Sequence, residues 1–487
     1  MSKLGSLFVK VFCVALLLFV LLFSGGVFGA SITFISPIIG EFSAVFLDRD
    51  TQWICFLCVG ILFVAFGLSR VMDGHLVELH RTDSYAFFLL AGFCFINAAR
   101  YASNYSSSLQ AVTMLGGAAI GQGMGLWAGD RSRNSKTLTA HNMMAWLVYI
   151  LIVQLALASA WQTSNRFYSY HRHVRWSGLW DNPNTLGLLM AAGIVLAFGV
   201  AIPISGFVFP LNGMARTTRP RIWRYAIYVL SLVAIGFMVR ALLYSYSRGA
   251  WLAALGGLTY LLRLSSCGDA GPTPKPSSQP LGGEGDLVSL RPSNVWHRKV
   301  WLPFCVMMAS VLILVLWHFR QTDWALARRA FSSANMVDFS WRNRITAWEG
   351  AMQIIAEHPW FGAGWNRPEP LYEHYYLPPK SLEGAAIEMN DYLMLGATLG
   401  IPALFCFGMY IWLSLTGKSE IGNRKSEIIE ADWPKTVCRA GAIVLLVGFW
   451  FDGGLFKLPT AATFWILLEL GAVQLPQKGT ESANEVS

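Results

Sequence analysis

Charge is scarce in this sequence. Asp, Glu, Lys and Arg supply 13% of its 487 residues, while hydrophobic residues supply 54%. That balance excludes a soluble chain of this length, because the polar residues are too few to cover the apolar remainder. Acids are scarcer than bases, 28 against 37, for a formal net charge of +9. The excess falls in connections between apolar runs, so it reads as membrane topology, and no nucleic-acid partner is implied. Cysteine is sparse outside apolar sequence. Cys13, Cys55, Cys58, Cys94, Cys267, Cys305, Cys406 and Cys438 nearly all lie within or beside apolar runs, which argues against a disulfide framework. Cys55 and Cys58 form a C-x-x-C without His or acidic neighbours and read as packing residues. No cluster of His, Asp and Glu with metal-ligand spacing occurs on the expected outer face, so no metal or other cofactor is expected. Missing too is a pair of matching interrupted helices in the two halves, the mark of many transporters.

What the chain does have is apolar runs near the length that crosses a bilayer, about twelve of them. They fall at 7–29, 52–69, 85–100, 109–128, 143–162, 184–208, 223–246, 249–264, 299–318, 389–415, 437–456 and 459–474. The expected fold is therefore an all-α polytopic membrane protein. The first run ends in "SGGVFGA", which imitates a secretory cleavage site, but the even span count favours an uncleaved anchor. With a cytoplasmic N-terminus, Arg131, Arg133, Lys136, Arg216, Arg219, Arg221, Arg224, Lys275, Arg291 and Arg298 all fall on the cytoplasmic side, which is the positive-inside pattern.

The expected organisation is eight helices over 1–264, a flexible cytoplasmic linker over 265–298, a ninth helix over 299–318, an extracytoplasmic loop over 319–388, three helices over 389–474 and a disordered tail over 475–487. The linker contains "CGDAGPTPKPSSQPLGGEGD", whose Pro, Gly and Ser content supports no core. The outer loop differs: "WRNRITAWEGAMQIIAEHPWFGAGW" spaces Ile345, Trp348, Met352 and Ile355 as an amphipathic helix at the membrane face, stopped by Pro359 and followed by a glycine turn at Gly362 and Gly364.

With that topology the polar features gather on the outer side. "HRHVRWSGLWDNPNTLG" precedes the sixth span, "SRG" follows the seventh, and "RITAW" lies in the outer loop. Arg175, Arg248 and Arg344 thus become candidates for one extracytoplasmic site, with Arg240 one helical turn before Tyr244. Guanidinium groups stay charged and grip phosphate oxygens with two parallel hydrogen bonds. The alternative for each is to snorkel to headgroups or to pair with a carboxylate such as Asp181, Asp338 or Asp452. For Arg175 a second alternative is to shape the start of the sixth span, where Asn182 reads as a helix cap and Pro183 as a first-turn residue. For Arg240 the alternative is an internal ion pair.

"GLWDNPNTLG", "SRGAWLA", "RITAWEGAMQIIAEHPWFGAGW" and "NDYLMLGATLGIPAL" stand in an order and topology that resembles the O-antigen ligase and polymerase family over roughly residues 170 to 470. The resemblance implies a GT-C-like glycosyltransferase in the bacterial inner membrane. Its active site would be periplasmic and capped by the large loop between the ninth and tenth helices. Such an enzyme moves a glycan from an undecaprenyl pyrophosphate carrier to a lipid or other glycan acceptor, by an inverting displacement that needs no metal. By the same resemblance, Arg248 and Arg344 look like the family's pyrophosphate-binding arginines. The sequence departs from the family's ligases where a histidine usually precedes the asparagine of the last motif: that position is Met389, and a thioether takes no proton from a hydroxyl. Glu388 is the first candidate for a replacement base, His374 the second, with Asp391 and Glu383 behind them. A polymerase of the same family, a transporter and a non-catalytic assembly protein remain as other readings.

Overall fold

The computed structural model describes residues 89–94, 96–97, 114, 117–118, 121, 138–160, 164–170, 173–178, 180, 182–206, 222–266, 339–365, 367–377, 390–416 and 427–472. Apolar composition sustained over long stretches makes most of them helical. The long helices are α1 (Leu138–Ala158), α2 (Pro183–Gly206), α3 (Ile222–Tyr244), α4 (Arg248–Ser266), α5 (Phe339–Glu357), α7 (Asp391–Leu399), α8 (Ile401–Thr416), α9 (Glu427–Phe451) and α10 (Leu458–Ala472). Between α5 and α7 come a short α6 (Pro368–Leu371) and one π-helical turn (Tyr372–Tyr376).

The stretches 183–201 of α2 and 433–451 of α9 are long and apolar enough to cross a bilayer, and 147–158, 228–244 and 401–416 are shorter apolar helices. α2 is the axis of the packing: it touches α1, α3, α4 and α9, and nearly every residue from Thr185 to Ala201 is buried. A helix apolar on all sides is stable only when it is surrounded, and α2 is. By contrast Val229, Leu230, Val233 and Phe237 of α3 are exposed along one face, as expected of a helix that meets lipid.

α1, α2, α3 and α4 lie within a few residues of the runs at 143–162, 184–208, 223–246 and 249–264. The run 389–415 is not one helix. It breaks at Gly400, whose φ of 91° ends α7 before α8 begins. α9 starts ten residues earlier than the expected 437 and carries Pro434 internally. The connection before α2 also holds an antiparallel hairpin, β1 (Ser164–Tyr170) with β2 (His173–Trp176), pairing Tyr170 with His173. The aromatic run "SNRFYSY" has the propensity for this, but short strands are overlooked when only apolar length is counted. The spans at 7–29, 52–69 and 299–318, nearly all of the linker, and the tail lie outside the described residues, and those at 85–100 and 109–128 are described only in part.

α5 ends at Glu357, just ahead of Pro359, and two of the apolar residues spaced for the membrane face, Ile345 and Met352, stay on its open side. Arg344, Ala347, Ala351 and Ile354 are buried, whereas Ile345 and Met352 are 38% and 53% exposed. Small residues let α5 approach α7 and the π-helical turn closely, leaving the larger apolar side chains facing outward.

Candidate functional site

The chain between α3 and α4 makes a tight turn, Ser245-Tyr246-Ser247. Tyr246 sits at a φ of 53°, a left-handed conformation unusual for a side chain of that size. The Ser245 hydroxyl donates to the Leu242 carbonyl at 2.7 Å and accepts from the Ser247 amide at 3.2 Å. Ser247 then caps α4: its hydroxyl accepts from the Ala250 amide at 3.2 Å.

The same hydroxyl donates to Oδ2 of Asp452, one residue beyond the end of α9. Gly249 makes room for that carboxylate, since a Cβ there would lie 2.5 Å from Asp452 Oδ2. The other carboxylate oxygen, Oδ1, accepts from Arg344 Nη2 of α5 at 3.0 Å, in an ion pair whose side chains are 8% and 1% exposed. Asp452 therefore ties the SRG turn to α5. Its charge also lies at the N-terminal end of α4, where the helix dipole favours an anion.

Arg248 is the first residue of α4 and is 6% exposed. A cation there opposes the helix dipole, so helix stability does not account for it. Arg175 is engaged with the protein: its Nε donates to the Ser245 carbonyl at 2.7 Å and its Nη2 to Asn184 Oδ1 at 2.5 Å, pinning β2 to the start of α2 and to the SRG turn. Asn182 caps α2 by accepting from the Asn184 amide at 2.8 Å, with Pro183 in the first turn. Arg240 is exposed and lies over the rings of Trp176 and Tyr244, at 5.3 and 5.9 Å, which stack on each other at 4.4 Å. All four arginines thus border one short turn, Arg344 through Asp452.

Of the three carboxylates considered as arginine partners, Asp452 is the one that Arg344 meets, while Asp181 and Asp338 lie outside the described residues. Asp391, a reserve candidate for the base, is buried and its Oδ2 accepts from the Gly454 and Leu455 amides at 2.5 and 2.7 Å. It holds the segment that follows Asp452. Asn390 caps α7, accepting from the Tyr392 and Leu393 amides at 3.1 Å each. Glu388, Glu383 and Met389 lie outside the described residues. His374 is exposed in the π-helical turn, its Nδ1 3.0 Å from the Pro370 carbonyl. Nearby, burial and the hydrogen bond that Tyr376 donates to Glu357 push the Tyr376 hydroxyl up to about 12, so it stays a neutral donor.

"HPWFGAG" and the end of α7 lock together through their backbones. The Ala363 amide donates to the Ala397 carbonyl at 2.8 Å, Gly364 to Thr398 at 3.1 Å, and Ile401 to Pro359 at 2.8 Å. This fixes α5, and so Arg344, against α7.

No curated protein matches the chain. Residues 233–408 match the family model described as O-antigen ligase. The matched segment contains the SRG turn, α5, the glycine turn and α7, and Arg175 and Asp452 fall outside it. The segment similar to the O-antigen ligase model carries both Arg248 and Arg344, in a chain with two helices long and apolar enough to cross a bilayer.

Proposed function

We propose that this protein is a membrane glycosyltransferase of GT-C type that moves a glycan from an undecaprenyl pyrophosphate carrier to a lipid or other glycan acceptor at the periplasmic face of the inner membrane. Its body has twelve membrane helices in this reading. The observation that carries it is the placement of Arg248: buried, at the dipole-positive end of α4, between two residues that touch the carboxylate holding Arg344. Such a site suits an anion brought by the substrate. The pyrophosphate is that anion, and positive charge beside it stabilises the leaving group as the glycosidic bond breaks.

In this mechanism Arg248 and Arg344 bind the pyrophosphate. Arg175 holds the SRG turn in shape, and Arg240 stands at the lipid-facing rim. Glu388, two residues before the cap of α7, takes the proton from the acceptor hydroxyl as that oxygen attacks the anomeric carbon from the face opposite the pyrophosphate, which inverts the configuration. His374 is the second candidate for the base. An oxocarbenium-like centre accepts a weakly activated hydroxyl, so the Met389 substitution lowers the demand on neither geometry nor charge but is compatible with transfer.

Arg248→Lys is expected to lose most transfer, on the order of a hundredfold, while membrane insertion is unchanged, because lysine keeps the charge without the two-pronged geometry. Transfer is measured from the lipid-linked glycan in membranes of a strain lacking the gene. Near-wild-type activity in the lysine variant overturns a specific pyrophosphate grip. Gel analysis of surface glycolipid from the deletion strain separates the two family activities: loss of long glycan attachment marks a ligase, and a single capped repeat marks a polymerase.

The arginines supply the positive charge that a divalent ion would bring, so transfer is expected to persist after exhaustive chelation. Activity abolished by EDTA and restored by magnesium or manganese overturns this.

A further inference from the structure

A row of aromatic rings from three separate segments starts beside Arg344 and reaches Trp450, two residues before Asp452. Trp341 and Trp348 stand seven residues apart on α5 with Arg344 between them, and their rings meet edge-to-face at 6.3 Å and 88°. Trp348 meets Trp450 of α9 at 5.9 Å and 64°, and Trp450 meets Tyr392 of α7 at 5.8 Å and 42°. The Arg344 guanidinium carbon is 6.0 Å from the Trp341 ring. Tyr392 is fixed at the far end, its hydroxyl donating to the Leu446 carbonyl at 2.7 Å. Trp450, two residues before Asp452, remains 43% exposed, and Trp341, Trp348 and Tyr392 are half-buried.

Packing alone does not explain this row. A core of aromatics closes over its rings, as Phe407, Phe464 and Trp465 do elsewhere in this fold. Here the rings also meet edge-on or tilted but stay partly exposed, so ring faces are left uncommitted near Arg344. The Trp348 indole N–H is also buried and meets no acceptor among the described residues, so it offers a donor to an arriving acceptor group.

We infer that Trp348, Trp450 and Tyr392 form a stacking platform for the pyranose ring attached directly to the carrier's diphosphate. The inference rests on the proposed function, which puts the diphosphate on Arg248 and Arg344. The electron-rich faces of the rings attract the polarised axial C–H groups of a sugar, and the sugar's hydroxyls reach Arg344, Asp452 and the Trp348 N–H in its plane. A prenyl chain would also lie on the rings, but it has no group for the indole N–H and would strand the charged pair against hydrocarbon. The neighbouring chemistry therefore favours the sugar.

The test uses full-length protein in lipid nanodiscs and two probes, undecaprenyl pyrophosphate and the same lipid bearing one N-acetylglucosamine. The wild type is expected to bind the sugar-bearing lipid more tightly. Trp348→Leu and Trp450→Leu are expected to weaken that lipid about fivefold to tenfold each while leaving the sugar-free lipid within about twofold. Trp348→Phe, which keeps a ring face but not the N–H and is the variant least disturbing to folding, falls between. Equal weakening of both lipids overturns the platform in favour of a prenyl groove. Unchanged binding of both in the three variants reduces the row to packing and overturns it as well. Failure of the wild type to bind the sugar-free lipid overturns the underlying pyrophosphate reading, a result distinct from loss of the sugar preference alone.

Discussion

Asp452→Ala is expected to abolish glycan transfer and to lower the yield of folded protein in the membrane. Its carboxylate engages two segments at once, accepting from Ser247 at the cap of α4 and from Arg344 of α5. Removing it leaves the Arg344 guanidinium buried without its counter-charge, a change that costs about 3–5 kcal/mol for a buried pair. That is a large fraction of the stability of a typical domain, roughly 5–15 kcal/mol. The Arg344→Met, Asp452→Leu double variant separates folding from function. It removes both charges together, so folded yield is expected to recover well beyond that of Asp452→Ala. Transfer is not expected to recover, because the arginine assigned to the pyrophosphate is gone. Yield is read by detergent-solubilised size-exclusion chromatography and transfer by the lipid-linked glycan assay. An Asp452→Ala protein with normal yield and normal transfer would show that this junction organises nothing.

How much of this was legible in the sequence varies by element and for physical reasons. Helix positions from α1 to α4 follow from apolar length, since a run of that size has few alternatives to a helix in lipid. The cap of α2 was readable because Asn182 and Pro183 act within one turn of each other. The gathering of the arginines on one side followed from charge topology, but which carboxylate Arg344 meets did not, because Asp452 is 108 residues away and nothing local marks it. Its only signal is an acid immediately after a long apolar run, at the rim where the arginines were expected. The apolar stripe of α5 was readable from periodicity, but the side that packs on α7 was not, because close approach there selects small residues such as Ala347 and Ala351. The aromatic row was invisible for the same long-range reason: its rings come from α5, α7 and α9. The break at Gly400 was hidden inside a continuous apolar run, where hydropathy registers length but not a backbone angle.

That break supports the last prediction, which concerns how Arg344 is held in place. Gly362→Ala and Gly400→Ala are each expected to destabilise the protein by about 2–5 kcal/mol. Both glycines have positive φ, 66° and 91°, where a side chain is strained. A Cβ on Gly362 would come within 2.3 Å of the Thr398 carbonyl, and one on Gly400 within 2.5 Å of the Trp360 carbonyl oxygen. Neither neighbour yields easily, because both are backbone and the same two segments are joined by the Ala363 to Ala397, Gly364 to Thr398 and Ile401 to Pro359 hydrogen bonds. Relief therefore requires the glycine turn to move off α7, and α5 with Arg344 moves with it. Gly236→Ala and Gly408→Ala are the controls. Both lie within helices and have nothing within 4 Å of an added Cβ, so each is expected to be neutral or to gain about 0.5–1 kcal/mol from helix propensity. Thermal aggregation of solubilised protein, followed by in-gel fluorescence of a C-terminal tag, checks all four. If Gly362→Ala and Gly400→Ala melt with their controls, the two motifs are not clamped, and the position of Arg344 must be set by Asp452 alone.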